Sequence, residues 1–191
     1  MAITGLTSNT PENLLLDAGA FFKNYDLSKT YAQNVSAGAL IGATAGGGSF
    51  SAVPTVRKIE VDGAKENVAQ LQTIDQWVVT MTANVKEITA DTIELALGAS
   101  TKTTPTNPTS YSKILGNADF AEGDYLDNFT WVGRLSGNAN PVIIVIKNAL
   151  ALGGLSITMA DKNEAVIPVT VTGHYDLDDL DTPPFEIYYP S

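Results

Sequence analysis

Alternation of apolar and polar positions runs through most of the chain and predicts strands far more often than helices. The clearest case is 72–88, QTIDQWVVTMTANVKEI. Trp77, Val79, Met81, Ala83 and Val85 fall on one face, and Gln76, Thr80, Thr82, Asn84 and Lys86 on the other, with Val78 the exception. At ~3.3 Å per residue such a strand spans roughly 50 Å, which predicts a hairpin projecting from the body. Its expected partner is 55–62, TVRKIEVD, closed by the turn pair Asp62-Gly63. Further strands are expected at 14–25 with a bend at Asp17–Gly19, at 125–135 and at 141–150. A hairpin over 155–174 turns at Asp161-Lys162-Asn163, and a short strand ends the chain. The run VIIVI at 142–146 has no polar face, so both of its sides need cover, and docking on a neighbouring subunit is one way to supply it.

The period changes once. Over 89–98 cap-like residues precede Ile93 and Leu97, four apart, and Gly98 follows, so one short helix is expected. Residues 99–112, with Pro105 and Pro108, read as the start of a long loop reaching about 126.

The stretch LIGATAGGGSF at 40–50 invites a nucleotide-binding reading, and the spacing rejects it. A phosphate loop needs G-x-x-x-x-G-K-S/T; counting from Gly42, the second glycine is Gly47 and Gly48 stands where lysine is required. The dinucleotide pattern must open a helix, whereas Val53, Val56, Ile59 and Val61 with Pro54 follow here. Gly46, Gly47 and Gly48 are therefore expected to form a flexible turn leading into a strand.

Composition narrows the chemistry further. The chain has 191 residues, no cysteine, one histidine and a formal charge of −10. That excludes disulfides and cysteine-held metals, and it argues against a surface that grips nucleic acid. The first nineteen residues carry neither a basic region nor a long apolar block, so an export signal is not expected and folding in the cytosol fits best. No apolar run reaches a membrane-spanning length. His174 reads as a strand-end residue beside acids. The cluster Asp176, Asp178, Asp179, Asp181 lacks the glycine and terminal glutamate of a calcium loop, so no metal is expected. No serine sits in a nucleophile motif. Neither an enzyme nor a cofactor is expected.

Three stretches, taken in order, carry a resemblance. They are IGATAGGGSF followed by VRKIEVDG; TIDQWVVTMTANVKEIT running into ADTIELALG; and a KNEA turn followed by VIPVTVTGHYDLDDLDTPPFEIYYP. Together they touch about half the chain. In this order they resemble the major tail tube protein of tailed bacteriophages and related phage-tail-like particles. The resemblance implies one domain over 1–191, a mainly β sandwich or rolled barrel with one flanking helix, similar in fold to the type VI secretion tube protein. It implies an N-terminal arm (about 1–13), a long loop (99–126) and a C-terminal arm (176–191). Six copies would form a ring, and rings would stack into a tube in the virion tail, assembled in the host bacterial cytoplasm, with no membrane. DNA would pass through the lumen without specific binding. Tape measure, tail terminator, baseplate and, where one exists, a sheath would be the other partners. Candidate subunit-interface residues are Gly46, Gly47, Gly48, Ile59, Val61, Trp77, Val79, Ile144 and Ile146, with 42–48 as a hinge that orders on assembly. Six copies carry about −60 per ring at ordinary pKa values, a charge suited to repelling phosphate. The alternative is a secreted or surface β-sandwich that binds glycan or adhesin partners.

Overall fold

The computed structural model describes residues 5–63, 65 and 67–191. The fold is mainly β. Among the described residues nine strands run β1 (Ala20–Lys23), β2 (Thr44–Lys58), β3 (Gln72–Val85), β4 (Ser100–Thr103), β5 (Lys113–Gly116), β6 (Leu126–Gly133), β7 (Val142–Ala151), β8 (Ile167–Gly173) and β9 (Phe185–Tyr188). Two α-helices among the described residues, α1 (Tyr31–Ser36) and α2 (Ala90–Leu97), interrupt them. Seven strands form one antiparallel sheet in the order β1-β6-β7-β8-β3-β2, with β9 beside β7.

Strand β7 turns this sheet into two layers. One of its edges pairs with β6 from Val142 to Ala149. The other edge is shared end to end: β9 takes Ile143–Ile146 and β8 takes Ala149–Ala151. The chain bends between them, where Asn148 has φ 45°. Layer one is thus β1-β6-β7-β9 and layer two is β8-β3-β2. Their facing sides follow the alternation in the sequence. Val79, Met81, Ala83 and Val85 of β3 and Ile167, Val169 and Val171 of β8 meet Phe129, Ile146 and Phe185. Phe185 spans the gap, its ring 5.4 Å from Trp77 and 6.1 Å from Phe50.

The two layers are also joined on the far side. The Lys23 amide donates to the Ala39 carbonyl (2.8 Å) and the Ile41 amide to the Phe21 carbonyl (3.1 Å), so 39–41 runs along β1. The chain then passes into β2, where Thr44 pairs with Val85. This closure gives the rolled form.

Local chemistry sets the helices. Thr89 and Thr92 cap α2 reciprocally, and Gly98 stops it at φ 71°. Helix α1, which the sequence reading does not anticipate, begins with a Thr30–Gln33 capping box. Its segment covers the outer side of layer one: Phe22, Tyr25, Ala39 and Val132 form a second cluster, with Ile143 packed on it. No described helix is long and apolar enough to cross a membrane.

Several expectations need correction. The strand expected at 14–25 is reduced to Ala20–Lys23 and a Leu15–Leu135 bridge, and 155–160 forms no strand beyond an Ala160–Asn163 bridge. The loop 99–126 contains the β4–β5 hairpin, held to α2 by Lys102, which pairs with Asp91 and Glu94. The run 142–146 finds its cover within its own chain, Ile146 inside the main core and Ile143 against the second cluster. Of the N-terminal arm, residues 1–4 lie outside the described residues. The end of the arm is tied to the body, the Glu12 carbonyl accepting from the Gly137 amide (2.8 Å), and the residues just after it continue alongside, the Leu16 amide donating to the Arg134 carbonyl (3.2 Å). The C-terminal arm supplies β9.

Candidate assembly surface

The β2–β3 hairpin is the most unusual element. Its strands have fifteen and fourteen residues, but only the root of β3, Thr80–Val85, is covered by β8. Among the described residues no strand lies on the outer edge of β3 from Gln72 to Val79, opposite β2, nor on the outer edge of β2 from Phe50 to Val56. Long bare edges invite another strand. Beyond the body both faces are open as well. Val53 and Val78 sit opposite each other at 55% and 44% exposure. Val56 and Ile74, also a pair and also exposed, continue the core face outward past Trp77. A register shift at Thr55/Val56 adds Asp75 to the β3 side, where it accepts from Arg57 Nε at 3.1 Å.

The glycines at the hairpin root are not a loose turn. They belong to β2, in a bulge: between the Thr44–Val85 and Gly48–Ala83 pairs, β2 advances four residues and β3 only two. Gly46 and Gly47 take φ 74° and 69°. Gly48 lies so close to β3 and β1 that a Cβ there would stand 2.1 Å from the Thr82 carbonyl oxygen and 2.5 Å from Phe21 Cζ. The bulge forms one wall of an apolar cleft of about 350 Å³, whose floor includes Phe21, Met81, Trp131 and Ile144.

The candidate interface residues therefore separate. Ile59 and Val61 lie past the end of β2, at the hairpin tip, at 46% and 53% exposure. Trp77 is half-buried under Phe185, and Ile144 is half-buried in the cleft floor. Val79 and Ile146 are wholly buried. Their side chains hold the two layers together and present no surface to a neighbour. Val53, Val56, Ile74 and Val78, which the sequence does not single out as interface residues, are further exposed aliphatics of this region. The signal was available in Val78, the one apolar residue on the polar face of its strand.

The outer face of layer two is uniform in chemistry. Ser49 and Ser51 pair with Thr82 and Thr80, which in turn pair with Thr170 and Thr172, and Asn84 lies beside Pro168. The Thr82 and Thr170 hydroxyls bond each other at 2.9 Å. None of these side chains carries a charge.

The remaining candidates are occupied with local structure. Asp176 Oδ1 accepts from the Asp178 amide (3.0 Å), and Asp179 Oδ1 from the amides of Thr182 (3.1 Å) and Asp181 (3.3 Å). The Thr182 side chain, bonding the same carboxylate, is the main cause that holds the Asp179 carboxyl below its ordinary value. Among the described residues no three potential metal ligands converge. His174 Nδ1 bonds the Asn148 carbonyl (3.1 Å), and its ring stands edge-on to Tyr125 at 5.3 Å. It braces the bend in β7.

Compared with known proteins, the chain matches no family model and no curated protein.

Proposed function

We propose that the chain is the repeating subunit of a hollow tube, of the kind that forms the tail tube of bacteriophages and phage-like particles. The observation that carries this reading is the projecting hairpin with both edges bare and its aliphatics exposed. One hairpin offers two different edges, so contact between copies is head-to-tail, and such contacts close into rings when the rotation permits. A strand added at each edge would satisfy the open backbone groups and continue the sheet from copy to copy.

The chemistry of layer two supports the rest. Its inner side is core, so only the hydroxyl face is left to line a channel. Ser49, Ser51, Thr80, Thr82, Asn84, Thr170 and Thr172 carry no cation, and Lys86 at the margin of that face is paired with Glu164 at 3.3 Å. A DNA phosphate would find no counter-charge on it, so a strand in transit would not be retained. The excess acid lies elsewhere on the subunit, including the C-terminal turns. On this reading the wall is neutral rather than acidic, and the negative charge serves as a background field.

Negative-stain microscopy of concentrated protein tests the proposal. Rings with six-fold symmetry or hollow tubes are expected. Val53→Asp combined with Val78→Asp is expected to abolish them while leaving the monomer folded, because both sites are already half in water. Compact monomers at every concentration, or monomers retained by a glycan matrix, would favour a binding module instead.

A further inference from the structure

The rung at which Pro54 faces Trp77 is closed at both ends, by different means. Along an antiparallel strand, successive residues aim their amide and carbonyl alternately toward one neighbour and then the other. The Trp77 amide donates to the Tyr175 hydroxyl at 2.7 Å, so it aims away from β2. Pro54, its opposite number, then aims away from β3. A proline there leaves the outer edge of β2 with no donor near its midpoint, the position in which a sheet tolerates proline.

On the other edge, β8 runs beside β3 only as far as Thr80–Thr172. The chain then diverges, and the His174 amide donates to the Lys147 carbonyl (3.4 Å) instead. Tyr175 reaches back and sets its hydroxyl on an outward amide of β3 just past the end of that ladder. A side chain stands where the next strand would be.

We propose that Tyr175 is a removable guard on the β3 edge, and that the strand it holds off is β2 of a second copy of this chain. The inference rests on the self-assembly reading above. The two guards differ in kind: Pro54 withholds one donor from the β2 edge permanently and leaves its other rungs able to pair, whereas a tyrosine hydroxyl releases its donor by a rotation. The β3 edge is therefore the one that opens, which gives the contact its polarity. The occupant is a second copy because the same hairpin carries the complementary bare strand, with Val53 and Val78 exposed on either side of the contact.

Tyr175→Phe keeps the ring and removes only the acceptor. In the monomer, the Trp77 amide should exchange with solvent at least fivefold faster in the variant, the loss of about one hydrogen bond. The critical concentration for assembly, read by sedimentation, should fall roughly fivefold, because the edge is already open. The melting temperature serves as the control for folding. If wild type assembles and Tyr175→Phe assembles at the same or a higher concentration, the guard is refuted and the assembly reading stands. If neither protein associates at any concentration, both are refuted together.

Discussion

Gly48 offers the sharpest test of how the hairpin root is built. A methyl group added there meets the Thr82 carbonyl oxygen at 2.1 Å and Phe21 Cζ at 2.5 Å. The phenyl ring has some freedom to give, but the carbonyl belongs to the backbone of the paired strand and does not. The β2–β3 spacing must widen at Gly48–Ala83, which weakens the ladder on each side of it. Overpacking of this kind costs about 3 kcal/mol. Gly46, two residues away, is the control. It has φ 74° and no neighbour within 4 Å of an added Cβ. Alanine there bears only the left-handed backbone penalty, about 1 kcal/mol. Urea unfolding of the two variants separates these causes, and for a chain of this size the melting temperatures should fall by about 6–12 °C for Gly48→Ala and 2–4 °C for Gly46→Ala. If Gly48→Ala is no worse than Gly46→Ala, the segment is a loose lead-in, and the bulge packed between β1 and β3 is refuted.

Two further outcomes follow from the segment that covers layer one. Asn34 is 1% exposed; its Oδ1 accepts from the Asp26 amide (2.9 Å), and its Nδ2 donates to the carbonyls of Asp26 (3.0 Å) and Thr30 (3.2 Å). Asn34→Ala should lower unfolding free energy by about 2–3 kcal/mol in urea, and a loss below 0.5 would show that water replaces those bonds easily. Asp26, held by the Ser28 hydroxyl (2.6 Å) and by Lys29 Nζ (2.9 Å), has its carboxyl lowered to about 2. Its folded value lies below the unfolded one, so its contribution is fully present above the ordinary aspartate range and is lost as pH falls toward 2. Ser28→Ala should raise this carboxyl's titration midpoint, followed by NMR, and an unmoved midpoint would mean that the hydroxyl is not the main cause.

What the sequence discloses and what it hides differ by mechanism. Strand β3 was legible because Trp77, Val79, Met81, Ala83 and Val85 alternate without error and all face the core. Helix α2 was legible because Thr89 and Gly98 are chemical stop signs. Strand β2 was read too short, since three glycines look like a break and nothing in their neighbourhood reveals a bulge that only the register against β3 requires. Helix α1 has one and a half turns, too few for a period to emerge, and its existence depends on Asn34 bonding a loop eight residues back. The run 142–146 correctly signalled cover on both faces. It could not say whose atoms provide it, because Phe22 and Tyr25 are more than a hundred residues away in the chain. The interface candidates divided for the same reason. Alternation tells which residues share a face, not where along a strand the body ends, and so Val79 is core while Val56 and Ile74, farther out on that side, meet solvent.

The divided edge of β7 has a mechanical consequence. Because β8 and β9 lie end to end along one margin, a pull on the carboxyl terminus is met by the four rungs Ile143–Tyr188 through Ile146–Phe185, backed by the Lys147–Glu186 ion pair and by the Tyr189 hydroxyl on Asn13 Oδ1 (3.3 Å). The load does not reach β8, whose three rungs to β7 lie beyond the bend at Asn148. Peeling that last strand would lift Phe185 off Trp77 and Phe50 and bare the interior like an opened seam, while the remaining strands keep their order. The tail end of the chain is thus the first part expected to come away under load.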